Sequence, residues 1–151
     1  MALVTDASAV ACGATLEQLS EEGVWRLIGF WLRHLKPNQC ACTTYRRETF
    51  AVQQAIRHFH DEIVGRELTV FCDHMPLVQA FRSPNPPQHD LIAYNHLMET
   101  SQWTSRVEHI SGQANTVVDW LSQPENVPGA AYARHGPGGG RNRRHHDPTY
   151  Q

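Results

Sequence analysis

At 151 residues and 40% hydrophobic content the chain has room for one domain with a true core. A formal charge of −2 excludes a polycation that holds nucleic acid by bulk charge, and no apolar run approaches the ~18 residues that cross a bilayer, so no membrane is expected as a partner. The four cysteines, Cys12, Cys40, Cys42 and Cys72, show no CxxC spacing and follow no secretory signal. They are expected to be reduced and mostly buried, in a protein that stays inside the cell.

Basic residues are nevertheless grouped, at Arg33-His34-Lys36, at Arg46-Arg47 and from Arg141 to Arg144. Such groups give either local positive faces or ordinary solvated surface. Cys40-Ala41-Cys42 has no second matched pair nearby, so a thiolate metal site is not expected.

In chain order, Ala2-Leu3-Val4-Thr5 reads as a strand that delivers Asp6 and then breaks into the small residues Ala7, Ser8 and Ala9. Cys12 to Gln18 reads as a second strand. The polar turn Ser20-Glu21-Glu22-Gly23 leads to a third from Val24 to Leu32, completing an antiparallel meander that Pro37-Asn38 stops. From Thr43 or Thr44 the period becomes helical and stays so until Gly65, a helix of about five turns with Glu48 near its start.

Leu68 to Cys72 is a short strand with Asp73 at its carboxyl end, and His74-Met75-Pro76-Leu77 opens a short helix. Strand, helix, strand order implies that this strand lies parallel to the first by a right-handed crossover. Side chains at the carboxyl ends of adjacent parallel strands share a crevice, which places Asp6 beside Asp73. After a proline-rich loop from Ser83 to Gln88 come a helix from Leu91 to Met98, a strand from Thr104 to Ile110, a loop that begins at His109, and a final helix from Asn115 to Leu121. Asp119 lies in that helix among Val117, Val118, Trp120 and Leu121. A carboxylate in such surroundings calls for a partner or a cation. The periodicity ends near residue 124, and 125–151, rich in Gly, Arg and His, is expected to be a disordered tail, or alternatively a basic arm that holds nucleic acid.

Four blocks now carry a resemblance. Thr5-Asp6-Ala7-Ser8 with Gly13-Ala14-Thr15-Leu16, Tyr45-Arg46-Arg47-Glu48-Thr49-Phe50-Ala51-Val52, Cys72-Asp73-His74-Met75-Pro76-Leu77, and the run from His109 to Ser122 closely resemble the ribonuclease H domain of gypsy-type LTR retrotransposon reverse transcriptases. The likeness covers about residues 2 to 124, one domain over 1–124. It implies an α/β ribonuclease H-like fold, a five-stranded mixed sheet made of an antiparallel three-strand meander plus two parallel strands, flanked by helices. It also implies a metal-dependent endonuclease that cuts the RNA strand of an RNA/DNA hybrid.

The implied acidic set is Asp6, Glu48, Asp73 and Asp119. In-line phosphodiester cleavage needs an activated water and a stabilised leaving oxygen, which two divalent cations roughly 4 Å apart supply together. Hard oxygen ligands suit two Mg²⁺ ions, with Mn²⁺ as a substitute. Asp6 is expected to bridge them, Glu48 and Asp73 to complete one ion, and Asp119 to hold the other. His109 matches a histidine of some ribonucleases H that serves proton transfer or product release. Ser8, Thr44 and Tyr45 are expected to touch the hybrid through 2′-hydroxyls in its minor groove.

The chain carries no YxDD polymerase motif. The polymerase domain of a parent polyprotein is therefore an expected partner, in the cytoplasm or in retroelement particles. A catalytically silent module with the same fold remains the alternative function.

Overall fold

The computed structural model describes residues 1–111. Five strands, β1 (Ala2–Ala7), β2 (Ala11–Leu19), β3 (Trp25–His34), β4 (Thr69–Cys72) and β5 (Arg106–His109), form one sheet in the order β3-β2-β1-β4-β5. The first three pair antiparallel, while β4 runs parallel to β1 and β5 parallel to β4. The mixed sheet is thus the one expected.

Register explains the core. Leu16, Leu3, Val70 and Val107 are successive partners across four strands, and each is almost completely buried. Paired residues share a face of the sheet, so the four make one apolar row. Helix α2 (Thr44–His58) lays Val52, Ala55 and Ile56 on the core built around it, and α4 (Met75–Arg82) and α5 (Leu91–Ser101) add Leu77, Val78 and Leu97. At about 1.5–3 kcal/mol for each fully buried aliphatic side chain, this row and its helical cover are the main attraction that fixes β1 against β4.

Several boundaries differ from the sequence reading. β1 does not break at Asp6 but pairs through Ala7, because Asp6 and Ala7 are held opposite Gly13 and Cys12. Pro37 starts the one-turn helix α1 (Pro37–Cys40) instead of only ending the meander; the Gln39 side chain accepts the Lys36 N–H, which closes that turn. The long helix is interrupted. Phe59, at φ −95° and ψ 21°, separates α2 from the short α3 (His60–Ile63). Its ring is buried beside Gly29, where an added Cβ would stand 3.0 Å from Phe59 Cε1. Packing the ring against β3 outweighs continuing the helix.

β5 begins at Arg106 because Thr104 is committed elsewhere, donating to the Leu68 carbonyl at 2.6 Å. His109 is the last residue of β5 and not part of the following loop. The four cysteines are free thiols, Cys12 and Cys72 buried and the other two half-buried. No described helix is long and apolar enough to cross a membrane. The expected last helix, with Asp119, and the expected tail lie outside the described residues.

Candidate metal centre

The parallel pair positions the first two carboxylates. Ala2, Leu3 and Val4 face Thr69, Val70 and Phe71. Continuing that register by two residues brings Asp6 level with Asp73, on strands about 4.8 Å apart. On its other side Asp6 faces Gly13, whose missing side chain leaves that flank of the carboxylate clear.

Glu48 arrives from α2. Thr43 caps this helix by accepting the Arg46 N–H, and the Val52, Ala55 and Ile56 stripe fixes its rotation on the sheet. The Glu48 side chain is thereby directed to the ends of β1 and β4. It is 2% exposed. One ligand oxygen from each of Asp6, Glu48 and Asp73 lies within 4.8 Å of the others.

Three carboxylates at this spacing are electrostatically expensive. The Glu48 pKa is pushed from 4.5 to about 8, first by burial and then by the charges of Asp73 and Asp6. The Ala7 N–H donates to this carboxylate and opposes the shift. Glu48 Oε2 is buried with no partner among the described residues. An orphaned buried carboxylate oxygen facing two further carboxylates is what a hard divalent cation satisfies, so the donor set fits such an ion. Cys72 immediately precedes Asp73, but burial pushes its pKa to about 12 and it stays a thiol, leaving an all-oxygen set.

The other expected residues are distributed as follows. Asp119 lies outside the described residues. His109 is the register partner of Cys72, so it stands on the strand next to the one that Asp73 follows, exposed and outside the three-carboxylate group. The Ser8 hydroxyl is engaged in the β1–β2 turn, where it accepts the Ala11 N–H and donates to the Ala11 carbonyl, both at 3.0 Å. Thr44 is exposed on the first turn of α2, accepting from Arg47 Nη2. Tyr45 is half-buried, and its hydroxyl has no partner among the described residues.

His74 was not singled out from the sequence. Its ring lies 6.2 Å from that of Tyr45, and its Nε2 is likewise buried without a described partner. Both residues line a cavity of about 700 Å³, with Thr44, Gln79 and Asn85, that begins at the residue after Asp73. The one signal available was its position directly after Asp73, and periodicity assigns no role to such a neighbour.

A model of the RNase H-like domain found in reverse transcriptase matches residues 1–100. The retrovirus-related Pol polyprotein from transposon 412 of Drosophila melanogaster is 32% identical over 121 residues, 80% of this chain and 10% of that protein. The corresponding polyprotein from transposon 297 of the same organism is 28% identical over 121 residues, 80% of this chain and 11% of that one. The chain thus spans about a tenth of the length of these curated relatives.

Among solved structures, RNase H1 from the halophilic archaeon Halobacterium salinarum NRC-1 superposes with a TM-score of 0.56 at 12% identity, covering 77% of this chain and 90% of that one. The N-terminal RNase H domain of a Mycobacterium tuberculosis protein, solved as a fusion with maltose binding protein, gives 0.53 at 14% identity, covering 89% and 99%. At these identities the likeness shows the fold.

Proposed function

The chain belongs to the family of RNase H-like domains found in reverse transcriptase, and from that premise we propose that it is a metal-dependent endonuclease cutting the RNA strand of RNA/DNA hybrids, as part of a gypsy-type Pol polyprotein. The observation that carries the reading is the convergence of Asp6, Glu48 and Asp73 within 4.8 Å, with Glu48 buried and one of its oxygens unpartnered. A stability-driven arrangement would have paired that oxygen or replaced the residue.

Asp6, Glu48 and Asp73 would hold Mg²⁺, with Mn²⁺ as a substitute, and Asp119 would complete the set for a second ion. When bound, such ions lower the pKa of a water and offset charge on the leaving 3′ oxygen. Glu48 contributes rigidity, since a carboxylate buried on a packed helix cannot follow a displaced ligand. Asp73 and Asp6, at the open edge of the site, face the substrate side. His109 would move a proton at the leaving or attacking oxygen. Thr44 and Tyr45, beside the cluster, would meet the RNA strand. Ser8 would do so from the β1–β2 turn. The polymerase domain of the same polyprotein would supply further phosphate contacts, because a chain of charge −2 has few of its own to offer.

The test is cleavage of a labelled RNA/DNA hybrid by the purified chain in Mg²⁺ or Mn²⁺, with an Asp73→Asn variant and a chelated control. Metal-dependent cutting of the RNA strand that disappears in the variant is the expected result. A folded chain that binds Mg²⁺ yet cuts no hybrid, alone or with its polymerase domain, overturns the reading in favour of a silent module.

A further inference from the structure

A second cavity of about 370 Å³ lies on the opposite flank of α2. At about 100° per residue, Arg46 and Phe50, which line it, stand roughly 160° around the helix from Glu48. Its walls come from the α1–α2 corner, from α2 and from the start of α5. No residue lining it lines the cavity beside Asp73.

The charge on this wall is held in an unusual way. From Gly23 to Arg47 the chain carries Arg26, Arg33, Lys36, Arg46 and Arg47 and neither Asp nor Glu. Arg46 is neutralised from α5, its Nε donating to Asp90 at 2.8 Å. Arg47 makes no salt bridge among the described residues, although its charge also acts on Glu48 and opposes the rise of that pKa. Its Nη1 donates to the carbonyls of Cys40 and Cys42, at 3.1 and 2.6 Å, and its Nη2 to Thr44 Oγ1. Its hydrogen bonds all go to neutral acceptors, which fix the guanidinium in place without an ion pair, the preparation an anion needs.

The opposite wall offers an acceptor. Thr49 Oγ1 gives its proton to the Arg46 carbonyl at 2.9 Å, so in its 3.3 Å contact with His96 Nδ1 the nitrogen must be the donor. Burial lowers the His96 pKa and favours the neutral ring. Nε2 therefore carries the lone pair, and no described residue donates to it. Leu35, Phe50 and Ile92 make the remaining wall apolar.

An anion beside a fixed cation, a hydroxyl that donates to an imidazole, and a flat apolar body are together the parts of a nucleotide. The volume falls within the range of small-molecule sites. We propose that the cavity binds a nucleotide, its phosphate toward Arg47, a ribose hydroxyl donating to His96 Nε2, and its base against Leu35, Phe50 and Ile92. The same chemistry is offered by a free mononucleotide and by a nucleotide within a strand.

The experiment uses the full chain in chelator, which keeps metal out of the carboxylate cluster, with calorimetry and amide chemical shifts as readouts. The probes are adenosine 5′-monophosphate, inorganic phosphate and adenosine. The monophosphate is expected to bind at least about tenfold tighter than either fragment and to shift Gln39, Cys42 and Ile92. Ile92 is half exposed in the first turn of α5, where an acidic residue suits the helix and leaves the fold intact. Ile92→Glu, which sets a carboxylate on the wall proposed to take the base, is expected to weaken the monophosphate at least about tenfold.

Equal affinity for monophosphate and phosphate, or an Ile92→Glu chain that binds as wild type, overturns the proposal. A dinucleoside monophosphate that displaces the mononucleotide supports the site and assigns it to strands; failure to displace, with the mononucleotide still bound, supports it and assigns it to free nucleotides. None of these readouts involves hybrid cleavage, so they stand or fall apart from the nuclease reading.

Discussion

The two flanks of α2 handle charge in opposite ways. Toward the sheet, Glu48 is buried against Asp6 and Asp73, with its pKa pushed up and one oxygen orphaned. Toward α5, every carboxylate is matched. Asp90 takes Arg46 Nε and caps α5 through the Ala93 N–H, while Glu99 receives Arg57 through two nitrogens, at 2.6 and 2.7 Å, and Gln53 at 2.6 Å. The same helix thus carries a flank whose ion pairs stabilise the fold and a flank whose crowded carboxylates oppose it. Among the described residues, one flank pairs its carboxylates while the other leaves a buried carboxylate oxygen without a partner, and perturbed groups of that kind cluster at functional sites.

The largest effect is expected at the carboxylate cluster of the strained flank. Asp6→Asn removes a ligand while keeping shape, and should lower hybrid cleavage by more than about a hundredfold, beyond the loss typical of an outer partner. Steady-state rates in Mg²⁺, with metal affinity measured in parallel, check this. Wild-type activity in the variant would mean that the cluster is not the reacting centre.

Next comes the pH dependence of the metal-free chain. The folded state holds a proton on Glu48 up to about pH 8, whereas the unfolded chain releases it near 4.5. Between these values the native state binds the extra proton, so stability falls as pH rises. The contribution is fully present below 4.5 and gone above about 8, a decline on the order of 3–5 kcal/mol. Denaturant melts in chelator across that window should show the slope, Mg²⁺ should oppose it at the alkaline end, and Glu48→Gln should flatten it. A flat wild-type profile would remove the electrostatic account of the strained flank.

The satisfied flank should respond more modestly. Asp90→Ala deletes a helix cap and the partner of Arg46 together, and should cost about 2 kcal/mol at any pH above 5, with no dependence on Mg²⁺. Glu99→Gln keeps the shape but loses the paired charge of a half-exposed Arg57. About 0.5–1 kcal/mol is expected, readable as a shift in the urea midpoint at constant slope. A metal-dependent response in either variant would break the division between the flanks.

Much of the strained flank was readable in advance. Asp6 and Asp73 each follow a short β-forming run, so strand signals and the parallel crossover bring them toward one end of the sheet, and the family resemblance adds Glu48 at the start of a periodic helix. What periodicity missed were features made by contacts distant in sequence. The break at Phe59 depends on a glycine thirty residues earlier that admits its ring. The extension of β1 through Asp6 depends on Gly13, and the end of Thr104's strand character on the Leu68 carbonyl. His74 and Arg47 stand inside the resembling blocks, and Arg47 in a basic pair, but no pattern gave either its contacts, because a single polar residue acquires its role only from what the fold sets beside it.

The sequence by itself thus determined the antiparallel meander, a fourth strand parallel to the first and the meeting of Asp6 with Asp73, since these follow from local propensity, period-two and period-3.6 patterning, and the handedness of crossovers, while the fifth strand and Glu48 came from the family resemblance. Only the tertiary structure decided that Glu48 is buried while Asp73 is not, that Arg46 and Arg47 differ in having a carboxylate partner, and that one helix carries both a destabilised and a satisfied flank. Burial and charge pairing depend on which distant groups come within a few ångströms, and that distance is a property of the packed chain.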